Sequence, residues 1–195
     1  MGLTLSPDRR REPVTARHIF TEEPNRRWAT DLTTVWTELD GTVAITPVID
    51  CGCRTALAIG VTKPQDSAAV LAPLRQALEE HFGSPSAVPD DLELRTDHGP
   101  QYTRDDCHTP CTEWNLDHTF APVGRPTGNS VAERFIRTLK EECIWLKDWK
   151  SPAEVRDAIN EWMVTYNEQR PHQALNWSTP AERRAARLPR MEMAV

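Results

Sequence analysis

The chain has 195 residues, 38% of them hydrophobic and 27% charged, the balance of one globular domain with an ordinary core and extended tails. No apolar run approaches the ~20 residues that span a bilayer, and the opening residues lack the apolar stretch of a secretory signal; no membrane association and a cytoplasmic location are expected. The net charge of −6 argues against tight, non-specific coating of nucleic acid.

Residues 1–25 are polar, charged and without a clear period, and read as an arm or linker ahead of a core over 26–184 and a tail over 185–195. From Trp28 to Trp36 the chain is rich in β-branched and aromatic residues, which predicts a strand. Asp40-Gly41 is a strong hairpin signal. Thr42–Asp50 and Thr55–Thr62 then read as two more strands, together an antiparallel meander. Asp66 is placed to cap a helix whose face carries Val70, Leu74, Ala77, Leu78 and Phe82. Pro73 should kink or delay that helix, and Gly83-Ser84-Pro85 ends it. Leu92–Thr96 predicts a fourth strand, a short helix follows Thr103 with Pro110 limiting it, and Leu116–Ala121 predicts a fifth strand. After a glycine- and proline-rich loop, Pro122–Asn129, a long helix is expected to end near Lys147 with Val131, Phe135, Leu139, Cys143 and Leu146 buried. Ser151-Pro152-Ala153-Glu154 opens a last helix as a capping box, with Val155, Ala158, Ile159, Trp162 and Tyr166 as its stripe. The order predicts an α/β fold, a five-stranded mixed sheet flanked by helices.

The charge is uneven. Residues 28–150 carry 11 basic and 19 acidic side chains, whereas residues 118–140 hold Arg125, Arg134, Arg137 and Lys140 against Glu133 alone. An acidic body with one basic strip suits a site that recruits divalent cations and meets a phosphate backbone locally. Five cysteines, an odd count with no export signal, predict reduced thiols. Cys51-Gly52-Cys53 and Cys107…Cys111 each lack a second pair at zinc-ligand spacing, so buried thiols are expected rather than a zinc site.

Three acids stand out among the 29 acidic side chains, most of which must be solvated surface charges. Asp31 interrupts an apolar, β-branched strand. Asp97 ends the fourth strand and is followed by His98-Gly99, a loop signal. Glu133 lies about 200° from Val131 around its helix, off the buried stripe. If the first and fourth strands are neighbours, the two aspartates sit side by side and Glu133 approaches from the helix. Carboxylates are the ligands that Mg²⁺ or Mn²⁺ prefers, and three of them can hold two ions for attack at a phosphodiester. Arg137 and Lys140 fall within roughly 40° of Glu133, beside the sites where a phosphate backbone would bind; a plain helix-stabilising Glu133–Arg137 pair is the alternative.

These residues carry a family resemblance. Trp28-Ala29-Thr30-Asp31-Leu32-Thr33, Thr96-Asp97-His98-Gly99-Pro100-Gln101-Tyr102 and Gly124 through Phe135 resemble the three acidic motifs of the DDE transposases and retroviral-type integrases, bacterial insertion-sequence branch. Asp97 and Glu133 are separated by 35 residues, the spacing that names the D,D-35-E group, and Tyr166 through Leu175 with Thr179-Pro180 resembles the branch's C-terminal motif. The resemblance implies a ribonuclease H-like fold and a catalytic core that cleaves and joins DNA ends in transposition. It implies two Mg²⁺ or Mn²⁺ ions held by Asp31, Asp97 and Glu133, and DNA contacts from Arg125, Arg134, Arg137 and Lys140. The partners implied are the element ends and target DNA, a second copy of the chain or a higher oligomer, and a helix-turn-helix DNA-binding segment. Residues 1–25 are too short and aperiodic to supply that segment, which is expected to be separate or missing. One position departs from the family: Gly128 stands where an acidic residue usually precedes the asparagine, and a looser loop over the site is expected.

Among other residues, Gln101 and Tyr102 are expected to support the loop after Asp97, and Arg170 and His172 to close the last helix. Trp145, Trp149 and Trp162 read as packing or interface residues. The competing functions are a ribonuclease H-like nuclease, which needs a fourth carboxylate with no clear candidate, and a silent remnant that only dimerises or binds DNA.

Overall fold

The computed structural model describes residues 23–63, 67–103, 105–122 and 128–188. Its sheet has six strands: β1 (Arg27–Thr30), β2 (Thr33–Thr37), β3 (Gly41–Asp50), β4 (Ala56–Thr62), β5 (Glu93–Thr96) and β6 (Asp117–Phe120). β3 is antiparallel to β1, β2 and β4, whereas β5 runs parallel to both β1 and β6. The sheet is therefore mixed, as the sequence predicts, with one strand more than expected.

The extra strand comes from a break in the predicted first one. β1 and β2 lie along the same edge of β3 in one continuous register, Thr30 opposite Val48 and Thr33 opposite Ile45. The break at Asp31 and Leu32 is thus a gap in pairing and not a slip. Cys51 N donates to Arg27 O at 2.8 Å, so every second residue back along β3 turns its backbone toward β1. Pro47 is the one that falls opposite Asp31, and proline has no N–H to offer.

Helices cover both faces. β3 is buried from Val43 to Asp50, as a strand must be when its alternate side chains face two cores. On one side Trp28, Val48 and Leu94 pack with Leu74 and Leu78 of α1 (Ser67–Phe82) and Cys107 and Cys111 of α3 (Asp105–Glu113). On the other, Ile45 and Ile49 pack with Phe135 and Leu139 of α4 (Ser130–Glu142) and Ile159 and Trp162 of α5 (Pro152–Glu168). A short α2 (Pro100–Thr103) precedes α3. No described helix is long and apolar enough to cross a membrane.

Proline does not break these helices where it was expected to limit them. Pro110 lies inside α3 and Pro73 inside α1. Gly60 on β4 lies against the Pro73 ring, where a Cβ would come within 2.4 Å of Cγ. Gly83, at φ +71°, ends α1 by donating to Glu79 O at 2.9 Å.

The long helix stops earlier than predicted. α4 ends at Glu142, and the chain tightens at Cys143 into a 3₁₀ turn, Ile144–Leu146. Three residues per turn change the phase of the stripe, so Ile144 is buried while Leu146 is 70% exposed. The α5 cap is half the expected box. Ser151 Oγ accepts from Glu154 N at 3.3 Å, but the Glu154 carboxylate takes Lys150 N at 2.8 Å. A full capping box, Thr179 with Glu182, opens an additional helix, α6 (Pro180–Arg187). Its Arg184 donates to the buried Asp50 carboxylate at 3.1 Å, which also accepts from Asn25 N and Gly52 N.

Candidate active site

The parallel pairing of β1 with β5 sets Trp28 beside Leu94 and Ala29 beside Arg95. Two residues further along each chain stand Asp31 and Asp97, side by side at the carboxyl ends of neighbouring strands. Each aspartate turns one oxygen back to its own loop: Leu32 N donates to Asp31 Oδ1 at 2.7 Å and Gly99 N to Asp97 Oδ1 at 2.9 Å. Among the described residues the second oxygen of each accepts no hydrogen bond.

Glu133 is brought to this edge by Asn129, the residue that opens α4. Asn129 is buried, its Nδ2 donates to Thr30 O at 3.0 Å, and its own carbonyl accepts from Glu133 N at 3.1 Å. One side chain thus ties the first turn of α4 to the residue before Asp31. The electrostatics report the meeting of all three acids. Burial raises the Asp31 carboxyl to about 6; its backbone hydrogen bond from Leu32 opposes that, the charges of Asp97 and Glu133 add to it, and Lys140 lowers it. Among the described residues no cation forms an ion pair with Asp31, Asp97 or Glu133.

The basic strip divides. Arg137 pairs with Glu141 at 2.8 Å, so the expected alternative of a Glu133–Arg137 pair is not what forms. Arg134 is exposed on the same helix and Lys140 is half-buried close enough to act on Asp31. Arg125 lies outside the described residues. Tyr102 is buried beneath the loop after Asp97, its hydroxyl 3.4 Å from Thr30 Oγ1, the supporting place expected of it. His98 is exposed and stacks on Phe120 with centroids 5.0 Å apart. Arg170 holds Glu142 at 2.8 Å and His172 packs edge-on against Tyr166, both at the end of α5 as expected.

The glycine at position 128 has a steric reason. A Cβ there would lie 2.8 Å from Ala121 Cβ and 3.0 Å from Pro122 Cδ, closer than real side chains approach, and the Gly128 carbonyl accepts from Arg95 Nη1 at 3.3 Å. Gly128 itself is closely packed, and the rest of the loop, residues 123–127, lies outside the described residues.

Sequence reasoning missed Asn129 and Thr96 as organising residues. A polar side chain at a predicted helix start was the available signal for Asn129; nothing local marked Thr96. An ionic cluster behind the site was also missed. Glu93 accepts from Arg27 at 2.5 Å, from Arg95 at 2.5 Å and from Thr119. Burial pushes its carboxyl up, but these hydrogen bonds outweigh it and hold the group below its ordinary value.

A mixed sheet in this order with helices on both faces is a ribonuclease H-like fold, and it sets Asp31 and Asp97 at adjacent strand ends. The chain belongs to the integrase core domain family, whose descriptions match residues 21–126 and residues 115–180. It is 32% identical over 107 residues to an uncharacterized protein of insertion element IS136 from Agrobacterium fabrum, which covers 55% of this chain and 54% of that one. It is 28% identical over 172 residues to the putative transposase InsK of insertion sequence element IS150 from Escherichia coli, covering 88% and 58%. The chain thus spans about half the length of these curated relatives. Among solved structures, the catalytic core domain of HTLV-2 integrase in complex with magnesium superposes with a TM-score of 0.60 at 17% identity, covering 84% of this chain and 99% of that one.

Proposed function

We propose that this chain is the catalytic core of a DNA transposase, cleaving and joining DNA ends by metal-dependent phosphoryl transfer. The observation that carries the reading is the pairing of Asp31 with Asp97 at adjacent strand ends, with Glu133 close enough to act on Asp31 and, among the described residues, no cation paired to any of the three. A divalent ion fits this donor set. The acids lie close enough to act on one another: burial first, and then the charges of Asp97 and Glu133, raise the Asp31 carboxyl, and Lys140 offsets this only in part. Asp31, Asp97 and Glu133 would hold two Mg²⁺ or Mn²⁺ ions, which when bound would activate the attacking oxygen and stabilise the leaving one.

The chain's own residues do the positioning. Asn129 holds the first turn of α4 against β1, and Tyr102 supports the loop that carries Asp97. Arg134, Arg137 and Lys140, with Arg125 on the approach to α4, meet the phosphate backbone of the element ends and target. A dimer or higher oligomer brings two ends together, and a helix-turn-helix segment finds them.

The test is a strand-transfer assay on pre-cut DNA ends in Mn²⁺, comparing this chain with Asp97→Asn. Joined product that disappears in the variant supports transposition. Cleavage without joining points to a nuclease, and no product from either protein points to a silent remnant.

A further inference from the structure

Two cysteines on one helix have no second pair at zinc-ligand spacing along the chain, and the structure supplies a histidine. Cys107 and Cys111 lie four apart on α3 and so share a face; both are buried, at 0% and 4% exposure. After α3 the chain turns at Asn115, at φ +53°, Leu116 N donates to Cys111 O at 2.8 Å, and β6 begins. That turn brings His118 back over the helix. The two thiols and a ring nitrogen of His118 all lie within 4.8 Å of one another.

The histidine is set for coordination. Its Nε2 lies 3.0 Å from Thr96 Oγ1, and that hydroxyl donates its single hydrogen to Asp97 O at 2.9 Å. Thr96 must then accept from His118, which puts the ring proton on Nε2 and leaves Nδ1 with its lone pair. A ligand histidine with its other nitrogen held by an oxygen is the usual arrangement around a metal.

We propose that Cys107, Cys111 and His118 form a structural zinc site, separate from the three carboxylates, that pins α3 to β6. Two thiolates and an imidazole are a donor set that selects Zn²⁺ over Mg²⁺ or Mn²⁺. Tetrahedral ligation at about 2.3 Å to sulfur and about 2.1 Å to nitrogen needs donors roughly 3.5–3.8 Å apart, so closing the site takes small side-chain rotations. A water or a solute completes the fourth position. Through His118 and Thr96 the metal would brace the strand end that carries Asp97.

The full chain is reduced, stripped with chelator and titrated with Co²⁺ as a spectroscopic stand-in for zinc. A sulfur-to-cobalt charge-transfer band saturating at one ion per chain is expected, a signal carboxylates cannot produce. It should vanish in Cys107→Ser and Cys111→Ser, weaken in His118→Gln and persist in Cys143→Ser; circular dichroism checks that each variant is folded. Zinc at roughly 100 times its dissociation constant should raise the Tm by about 5–10 °C in the wild type and leave the folded cysteine variants unmoved. No band in the reduced wild type, or one that survives both cysteine substitutions, overturns the proposal. So does a melting temperature indifferent to zinc.

Discussion

Pro47 stands directly across the β-ladder from Asp31, at the position that would donate a backbone hydrogen bond to the Asp31 carbonyl. The constant register on either side of the gap places it there. The missing donor separates β1 from β2 and frees the chain at Asp31 from the ladder, just where the register with β5 sets Asp31 beside Asp97. Pro47→Val is expected to supply the N–H and let the two strands pair as one. Thermal stability should hold or rise slightly, while strand transfer falls at least tenfold. Unchanged activity in a folded variant would show that the gap does not set the carboxylate.

Asp31 strains the fold when ionised. Its folded-state value, about 6, lies above its ordinary value of 3.8, so the folded state holds the proton more tightly than the unfolded chain. The protein therefore gains stability as pH falls through 6 toward 4, and Asp31 destabilises it above pH 6. In metal-free buffer Asp31→Asn should stabilise the protein at pH 8 by on the order of 1–2 kcal/mol after screening, seen as a higher melting temperature, and much less at pH 4. Mg²⁺ should stabilise the wild type and not the variant. Equal melting curves at pH 8 would contradict the account.

Asn129 carries the connection between α4 and β1. Asn129→Ala strands the Thr30 carbonyl and should destabilise the protein by roughly 1–3 kcal/mol, read from chemical denaturation. Because Glu133 sits on the turn that Asn129 holds, Mn²⁺ affinity should fall with it. A variant that lost stability but bound Mn²⁺ as tightly as the wild type would confine Asn129 to folding.

His172 sets an acid limit. Burial first, and then the Arg170 charge, lower its value to about 4, so the ring stays neutral in the fold while the unfolded chain takes up a proton near 6.5. Stability should decline as pH falls from about 6.5 toward 4, against the Asp31 contribution. His81 and His118, also lowered by burial, act in the same direction. Melting temperatures of the wild type and His172→Leu between pH 7 and 5 test this: the wild type should lose more over that interval.

The basic residues of α4 should contribute unequally to DNA binding. Arg137 is already engaged by Glu141, whereas Arg134 is exposed and forms no ion pair among the described residues. Arg134→Ala should weaken binding more than Arg137→Ala and lower the salt slope by about one. Affinity for random duplex should be weak for the wild type, given its acidic core. Nanomolar, salt-resistant binding would refute that expectation.

Much of this protein was legible along the chain. The strand run of β3 after its hairpin turn, the helical stripes of α1 and α5 and the turn residues at Gly83 follow from local sterics and periodicity, which a linear reading captures. The three acids stood out for the same reason: each breaks a local pattern, and the spacing between Asp97 and Glu133 matched a family. What the tertiary structure decided depends on partners far apart in sequence. Pro47 sets the break at Asp31 from across the ladder, Arg184 docks α6 onto Asp50 134 residues away, and the tightened turn after Glu142 exposes Leu146. His118 completes the cysteine pair from the next strand. Hydrogen-bond register and side-chain convergence arise only when separate elements pack, so periodicity along one element cannot contain them.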